Sequence, residues 1–232
     1  MTTTVAENAP LNLWTVPLRG LVFVLAATSI WCLLAEFYGL MSMHAFTLCI
    51  SAPAMALLAG LTFLDYARGD GRLFRAVVIG AIAGLLAAFA YDIFRLPFVF
   101  SRQWGLGGMV PPMPLFKVFP RFGAMILSQP IEQPHYSPAA QLVGWTYHFS
   151  NGLTFGIMYL AMIGDARRRS WLWAVALAVG LELAMLFTPY PGMFGITVGK
   201  QFIIVTLTAH LIFGVALGLC VRRAFSNMRA LT

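Results

Sequence analysis

Charge is what this sequence has least of. Only 10% of its 232 residues are Asp, Glu, Lys or Arg, against about 25% in a soluble globular domain. Acids are the scarcer sign, 8 against 15 Lys and Arg. Cysteine is sparse as well: Cys32, Cys49 and Cys220 all lie in apolar stretches, which speaks against a disulfide framework. Several catalytic signatures are missing. There is no Gly-x-Ser-x-Gly elbow, no His-Glu-x-x-His, no Walker loop and no Cys-x-x-Cys. Paired Glu-x-x-His motifs of the di-iron carboxylate type and His-x3-His on one helix are absent too. Residues 1–14 hold Glu7 but no Lys or Arg, unlike the n-region of a signal peptide, so a short retained tail is expected there.

What fills the chain instead is apolar residue, 60% of the total, with a mean hydropathy of +0.82. A membrane-crossing helix needs about 20 mostly apolar residues. Six runs qualify, at roughly 16–38, 44–66, 73–97, 139–163, 171–190 and 201–221. The expected fold is an all-α integral membrane protein, a six-transmembrane-helix bundle forming a single polytopic domain over residues 1–232. The net charge of +7 is no nucleic-acid signal, because the basic residues cluster at the ends of the runs. There they set topology and meet anionic lipid.

Those clusters give the orientation. Arg68, Arg72 and Arg75 lie between the second and third runs, Arg167, Arg168 and Arg169 between the fourth and fifth, and Arg222, Arg223 and Arg229 after the sixth. Only Lys200 faces them across the bilayer in the short connections. The positive-inside rule then makes both termini cytoplasmic in a cell inner membrane, with Arg19 in agreement. The long connection 98–138 is outside. It is rich in Pro, Phe and Met, which suits an interfacial segment or a cap over the helix ends. Asp65 and Asp165, at the inner ends beside arginines, read as solvated.

Two of the runs repeat a pattern. His148-x3-Gly152-x3-Gly156 in the fourth matches His210-x3-Gly214-x3-Gly218 in the sixth. Each histidine falls nine residues into its run, so both lie at one depth in the outer half of the bilayer. The preceding runs carry Asp92 and Glu182, each followed by a proline, Pro97 and Pro189. Glu36 and His44 echo the theme in the first two runs without the glycines. An internal helix-hairpin repeat about an axis along the membrane normal would produce this order.

For the glycines the plain reading is close helix packing. Ionisable groups inside a span are costly and face the interior or a cavity. His148, His210, Glu182 and Asp92 are therefore the candidate site, with Asn151, His44, Glu36, Met41 and Met43 as additional candidates. Asp92 can also pair with Arg95 three residues on. Glu182 has only apolar neighbours in sequence, so it needs a partner from another helix, and His210 is the natural one. Imidazole and carboxylate together suit iron, copper or zinc, and thioethers such as Met41, Met43, Met109 and Met113 suit Cu(I).

Three functions follow as expectations. The first is a redox or metal-dependent site holding a transition metal, copper or iron, or a b-type haem between His148 and His210. The second is a small proton-coupled carrier. The third is a non-catalytic subunit of a larger membrane complex. Membrane lipids, a homo-oligomer or a larger complex are the expected partners, and nucleic acid is not. The topology is directly testable. A cysteine placed at Gln133 in a variant lacking the native cysteines should react with an impermeant maleimide from the outer side. Reaction from the cytoplasmic side alone would overturn the orientation.

Overall fold

The computed structural model describes residues 11–229, with side chains through Ser226. Residues 1–10 of the expected retained tail, and the Arg229 side chain, lie outside the described residues. Helix is the only regular structure among the described residues, apart from an isolated backbone bridge between Leu11 and Gly69. Each of the six apolar runs is helical, in one piece or in several.

The first run is two helices, α1 (Val16–Ala26) and α2 (Thr28–Phe37), bent by 47°. The bend has a local cause. Thr28 Oγ1 donates to the Leu25 carbonyl at 2.8 Å, inserting a side chain into the helical ladder. The second run is continuous from α3 (Met43–Phe46) through a π-helical turn (Thr47–Ser51) into α4 (Ala52–Arg68). Pro53 lacks the N–H that would meet the Cys49 carbonyl, and the widened turn just before it absorbs the mismatch. Ser42 caps α3, its hydroxyl accepting from Ala45 N at 3.2 Å.

Asp65 departs from the sequence reading. It is fully buried rather than solvated. Its Oδ2 accepts from Phe74 N at 2.9 Å, in the first turn of α5 (Arg72–Val99). A carboxylate at a helix N-terminus satisfies an orphan amide and meets the positive end of the dipole. Asp165 is about one-third exposed and pairs with Arg167 and Arg168.

The long connection 98–138 folds into α6 (Val118–Ile126), whose Phe119, Phe122, Gly123 and Met125 are buried. It caps α7 (Pro138–Ile163), with which it makes one of the closest contacts in the molecule: a Cβ on Gly123 would strike the Ala140 carbonyl, and one on Gly144 the Phe119 carbonyl. Ser137 and Pro138 start α7 in the usual way, Ser137 Oγ accepting from Ala140 N at 3.1 Å. Arg19 ties its far end down, donating to the Ala161 and Met162 carbonyls at 2.9 Å each. The chain continues through α8 (Leu172–Leu186), a single turn α9 (Tyr190–Met193) and the long α10 (Lys200–Arg229).

Among the described residues, three helices are long and apolar enough to cross a membrane: Met43–Arg68, Arg72–Val99 and Lys200–Ser226. The bent pair α1–α2 makes a fourth if it is one span. α7 is central, packing against α1, α5 and α6. Its contact with α5 is backbone on backbone, since a Cβ on Gly84 would land on the Gly152 carbonyl and one on Gly156 on the Gly80 carbonyl. Lipid offers little hydrophobic drive for helix pairing, so close packing of this kind supplies it. Gly84→Leu or Gly156→Leu should therefore lower stability by about 1–3 kcal/mol or more, as overpacking does. Gly60→Ala should be neutral, because nothing lies within 4 Å of its added methyl. Thermal unfolding in detergent measures both, and a Gly84→Leu protein that melts with wild type would refute the contact.

Candidate functional site

Four elements meet at the end of the bundle covered by the 98–138 connection. α5 contributes Tyr91, Asp92 and Arg95, α7 contributes His148 and Asn151, α8 contributes Glu182 and α10 contributes His210. All of these but Asp92 line a cavity of about 160 Å³, closed partly by Phe119 of α6. Helical spacing explains the α5 cluster. Residues three and four apart share a face, so Arg95 reaches Asp92 at 3.4 Å and lies over the Tyr91 ring at 4.7 Å. Asp92, Arg95 and Glu182 are 8%, 5% and 9% exposed, so these charges are withdrawn from solvent and depend on one another.

Asp92 is engaged on both oxygens. Oδ1 faces Arg95, and Oδ2 is 2.8 Å from His148 Nε2. An ionised carboxylate only accepts, so the proton of this contact sits on Nε2. Phe119 stacks on the same imidazole, ring centres 4.1 Å apart, and fixes its plane. Arg95 also donates to the Leu115 carbonyl at 2.7 Å, which ties the 98–138 connection to α5.

The second histidine is arranged differently. His210 Nδ1 donates to the Thr206 carbonyl at 2.9 Å and lies 3.5 Å from Glu182 Oε2. A neutral imidazole held this way has Nε2 as its open acceptor. Tyr91 stands between the two histidines, its ring centre 6.0 Å from His148 and 5.0 Å from His210. Two buried atoms at the site have no hydrogen-bond partner among the described residues, Arg95 Nε and Asn151 Oδ1.

The two hairpins thus share a plan. In each, the histidine meets the acid of the preceding helix. In each, the glycines below it meet that helix's backbone. Gly152 and Gly156 lie on Gly84 and Gly80 of α5, while Gly214 and Gly218 lie on Val175 and Trp171 at the start of α8.

Of the additional candidates, Asn151 lines the cavity and the other four go elsewhere. Glu36 accepts the Met43 amide at the start of α3. His44 Nδ1 pairs with the Ile126 carbonyl at 2.7 Å, joining α3 to α6. Met43 is fully buried in a core cluster with Phe119 and Phe122 of α6, with Met41 packed beside it. None of these four lines the cavity. Conversely, Tyr91, Phe119 and Tyr190 line it without having been singled out in the sequence. Tyr91 carried a usable signal, its spacing of four from Arg95. Phe119 carried none, because only the fold brings α6 over the cavity. Among the described residues no three His, Cys, Asp or Glu side chains converge as a metal-holding group.

Compared with protein-family models, with curated proteins and with solved structures, the chain matches none.

The Asp92–Arg95 contact predicts a stability effect. Asp92→Asn leaves a buried guanidinium without its counter-charge and should cost about 3 kcal/mol or more. Adding Arg95→Gln should restore part of the loss. Thermal unfolding of the two single variants and the double variant tests this. Strict additivity would mean the two groups do not interact.

Proposed function

We propose that this chain is a polytopic inner-membrane carrier that moves a small carboxylate or similar anion together with protons, through the cavity between His148 and His210. One observation carries the reading: His148, His210, Glu182 and the buried guanidinium of Arg95 line the same cavity, with Asp92 behind His148 and Arg95 as the partner of both. The charge count makes the consequence plain. With both histidines neutral, Arg95 against Asp92 and Glu182 leaves the cluster around the cavity at −1. With both protonated, it is at +1. Protonation from the outer face therefore turns a site that repels anions into one that attracts them.

Arg95 is the natural contact for the anion. Its distance to Asp92, 3.4 Å, is long beside the roughly 2.7–2.9 Å of a strong charge-assisted bond. An incoming carboxylate can compete for it while Asp92 keeps His148.

The six-span topology with both termini cytoplasmic belongs to this proposal. α7 spans 26 residues. Its lower apolarity follows from Gln141, Thr146, His148, Ser150 and Asn151, which suits a central helix shielded by neighbours. α8 has 15 residues, about 22 Å at 1.5 Å each, against a hydrocarbon core of about 30 Å. The turn α9 and its flanks would complete that crossing. The shared plan of the two hairpins supports a parallel repeat in which His148 and His210 are equivalent. A copper or iron ion, or a b-type haem, is the competing assignment. It would require Asp92 to leave Arg95 and Tyr91 to move from between the imidazoles.

Proteoliposomes test the carrier reading. Lowering the outer pH from neutral to mildly acid should raise uptake of labelled small carboxylates, with proton entry seen by an internal pH dye. His210→Ala should reduce coupled uptake about tenfold, equivalent to ~1.4 kcal/mol, and His148→Ala/His210→Ala should abolish it. Uptake unaffected in the double variant would overturn the proposal. So would stoichiometric copper, iron or haem in the wild-type protein, which would favour the metal centre.

A further inference from the structure

The opposite end of the bundle holds a second site of different character. The α7–α8 connection brings Arg167 and Arg169 beside Arg222 of α10, around an open cleft of about 470 Å³ bordered also by Trp171, Phe225 and Ser226. Arg223 and Leu219 flank Arg222 on the adjoining surface. Arg222 is twelve residues beyond His210 on α10, about 18 Å at 1.5 Å per residue, so the cleft lies toward the cytoplasmic border.

Its charge is not balanced by protein. Asp165 is the acid of this connection, and it takes Arg167 at 3.0 Å and Arg168 at 3.5 Å. The Arg167 guanidinium holds the Asp165 carboxyl below its usual range, so that negative charge is committed to the loop. No carboxylate pairs with Arg169, Arg222 or Arg223 among the described residues. α8 begins at Leu172, and Trp171 and Ser170 at its N-terminus face the cleft, adding the positive end of its dipole.

We propose that this cleft binds the phosphate headgroup of an anionic phospholipid, with Arg169 and Arg222 as its main contacts. The chemistry required is that of a phosphate anion held by several guanidinium groups. The surroundings favour a lipid over a soluble phosphate. Trp171 and Phe225 form an apolar rim, and the exposed Leu172 and Leu219 lead from it toward the apolar belt of the bundle. A headgroup with acyl chains covers both parts. A free phosphate covers only one. Basic pockets between helices at the cytoplasmic border are where such headgroups bind.

Native mass spectrometry of the full-length protein, released from phosphatidylcholine nanodiscs doped with phosphatidylglycerol, tests the site. Wild type should retain phosphatidylglycerol in preference to phosphatidylcholine. Arg169→Gln/Arg222→Gln should weaken retention about five-fold per arginine, the equivalent of ~1 kcal/mol each at an anionic surface. Arg169→Lys/Arg222→Lys, which keeps the charge, should hold most of the retention and so separates lost binding from misfolding. Arg102→Gln, on the outer connection, should change nothing. Equal retention by the double glutamine variant, or equal retention of the two lipids by wild type, would overturn the proposal. Binding of inorganic phosphate in pure phosphatidylcholine nanodiscs, with no gain from phosphatidylglycerol, would assign the cleft to a soluble anion and overturn the lipid reading.

Discussion

The close approach of α5 and α7 is the constraint on which the cavity site depends. Gly80 and Gly84 meet Gly156 and Gly152 with no room for a side chain on either face. Two turns up α5 from Gly84 stands Asp92, and one turn along α7 from Gly152 stands His148, so the glycine contact sets the separation at which these two meet at 2.8 Å. Widening the helices by one methyl group would lengthen that contact beyond hydrogen-bonding reach. Packing and chemistry are therefore one feature here. The glycines act as spacers, and the histidine and the acid are what they hold in register.

Once the helices are this close, the polar groups have little freedom. A buried carboxylate and a buried guanidinium cost several kcal/mol each unless each finds a partner. Asp92 solves this on both oxygens, and Arg95 adds the faces of Tyr91, Phe116 and Phe119 to its hydrogen bonds. Cation–π contact is the arrangement available to a guanidinium whose remaining N–H has no acceptor. Phe116 and Phe119 reach Arg95 because the 98–138 connection folds onto the bundle, with Phe119 in α6.

Much of this was legible in the sequence, and the parts that were not have identifiable reasons. Apolar runs and arginine clusters mark the helices because length and hydropathy act locally. The His-x3-Gly-x3-Gly pattern marks the packing faces because spacing of four is a property of one helix. Glu36 and His44 resembled a third acid–histidine pair by spacing alone. Each instead satisfies a backbone group at a helix end, Glu36 the Met43 amide and His44 the Ile126 carbonyl. Asp65 looked solvated because arginines follow it. The sharp turn at Gly69 and Gly71 folds α5 back so that its first turn claims the carboxylate. The bend at Thr28 depends on which carbonyl a hydroxyl selects, and Phe119 on a connection between helices. Neither leaves a periodic trace.

The two hairpins share a plan but not a charge balance, and the difference assigns their roles in the carrier reading. Asp92 has a fixed cation beside it in Arg95, so its negative charge is matched whatever His148 does. Glu182 has no such cation. Its partner is His210, whose own charge depends on protonation. The pair Glu182–His210 can hold one proton between them as an ion pair, or exchange it, without stranding a charge elsewhere. Asp92–Arg95–His148 cannot lose its carboxylate without leaving Arg95 alone. A site built from one locked pair and one adjustable pair, separated by Tyr91, has a fixed anchor for an anion on one wall and a proton acceptor on the other. In that reading the two hairpins supply the two walls, and the single arginine, present beside one of them, makes the walls unequal.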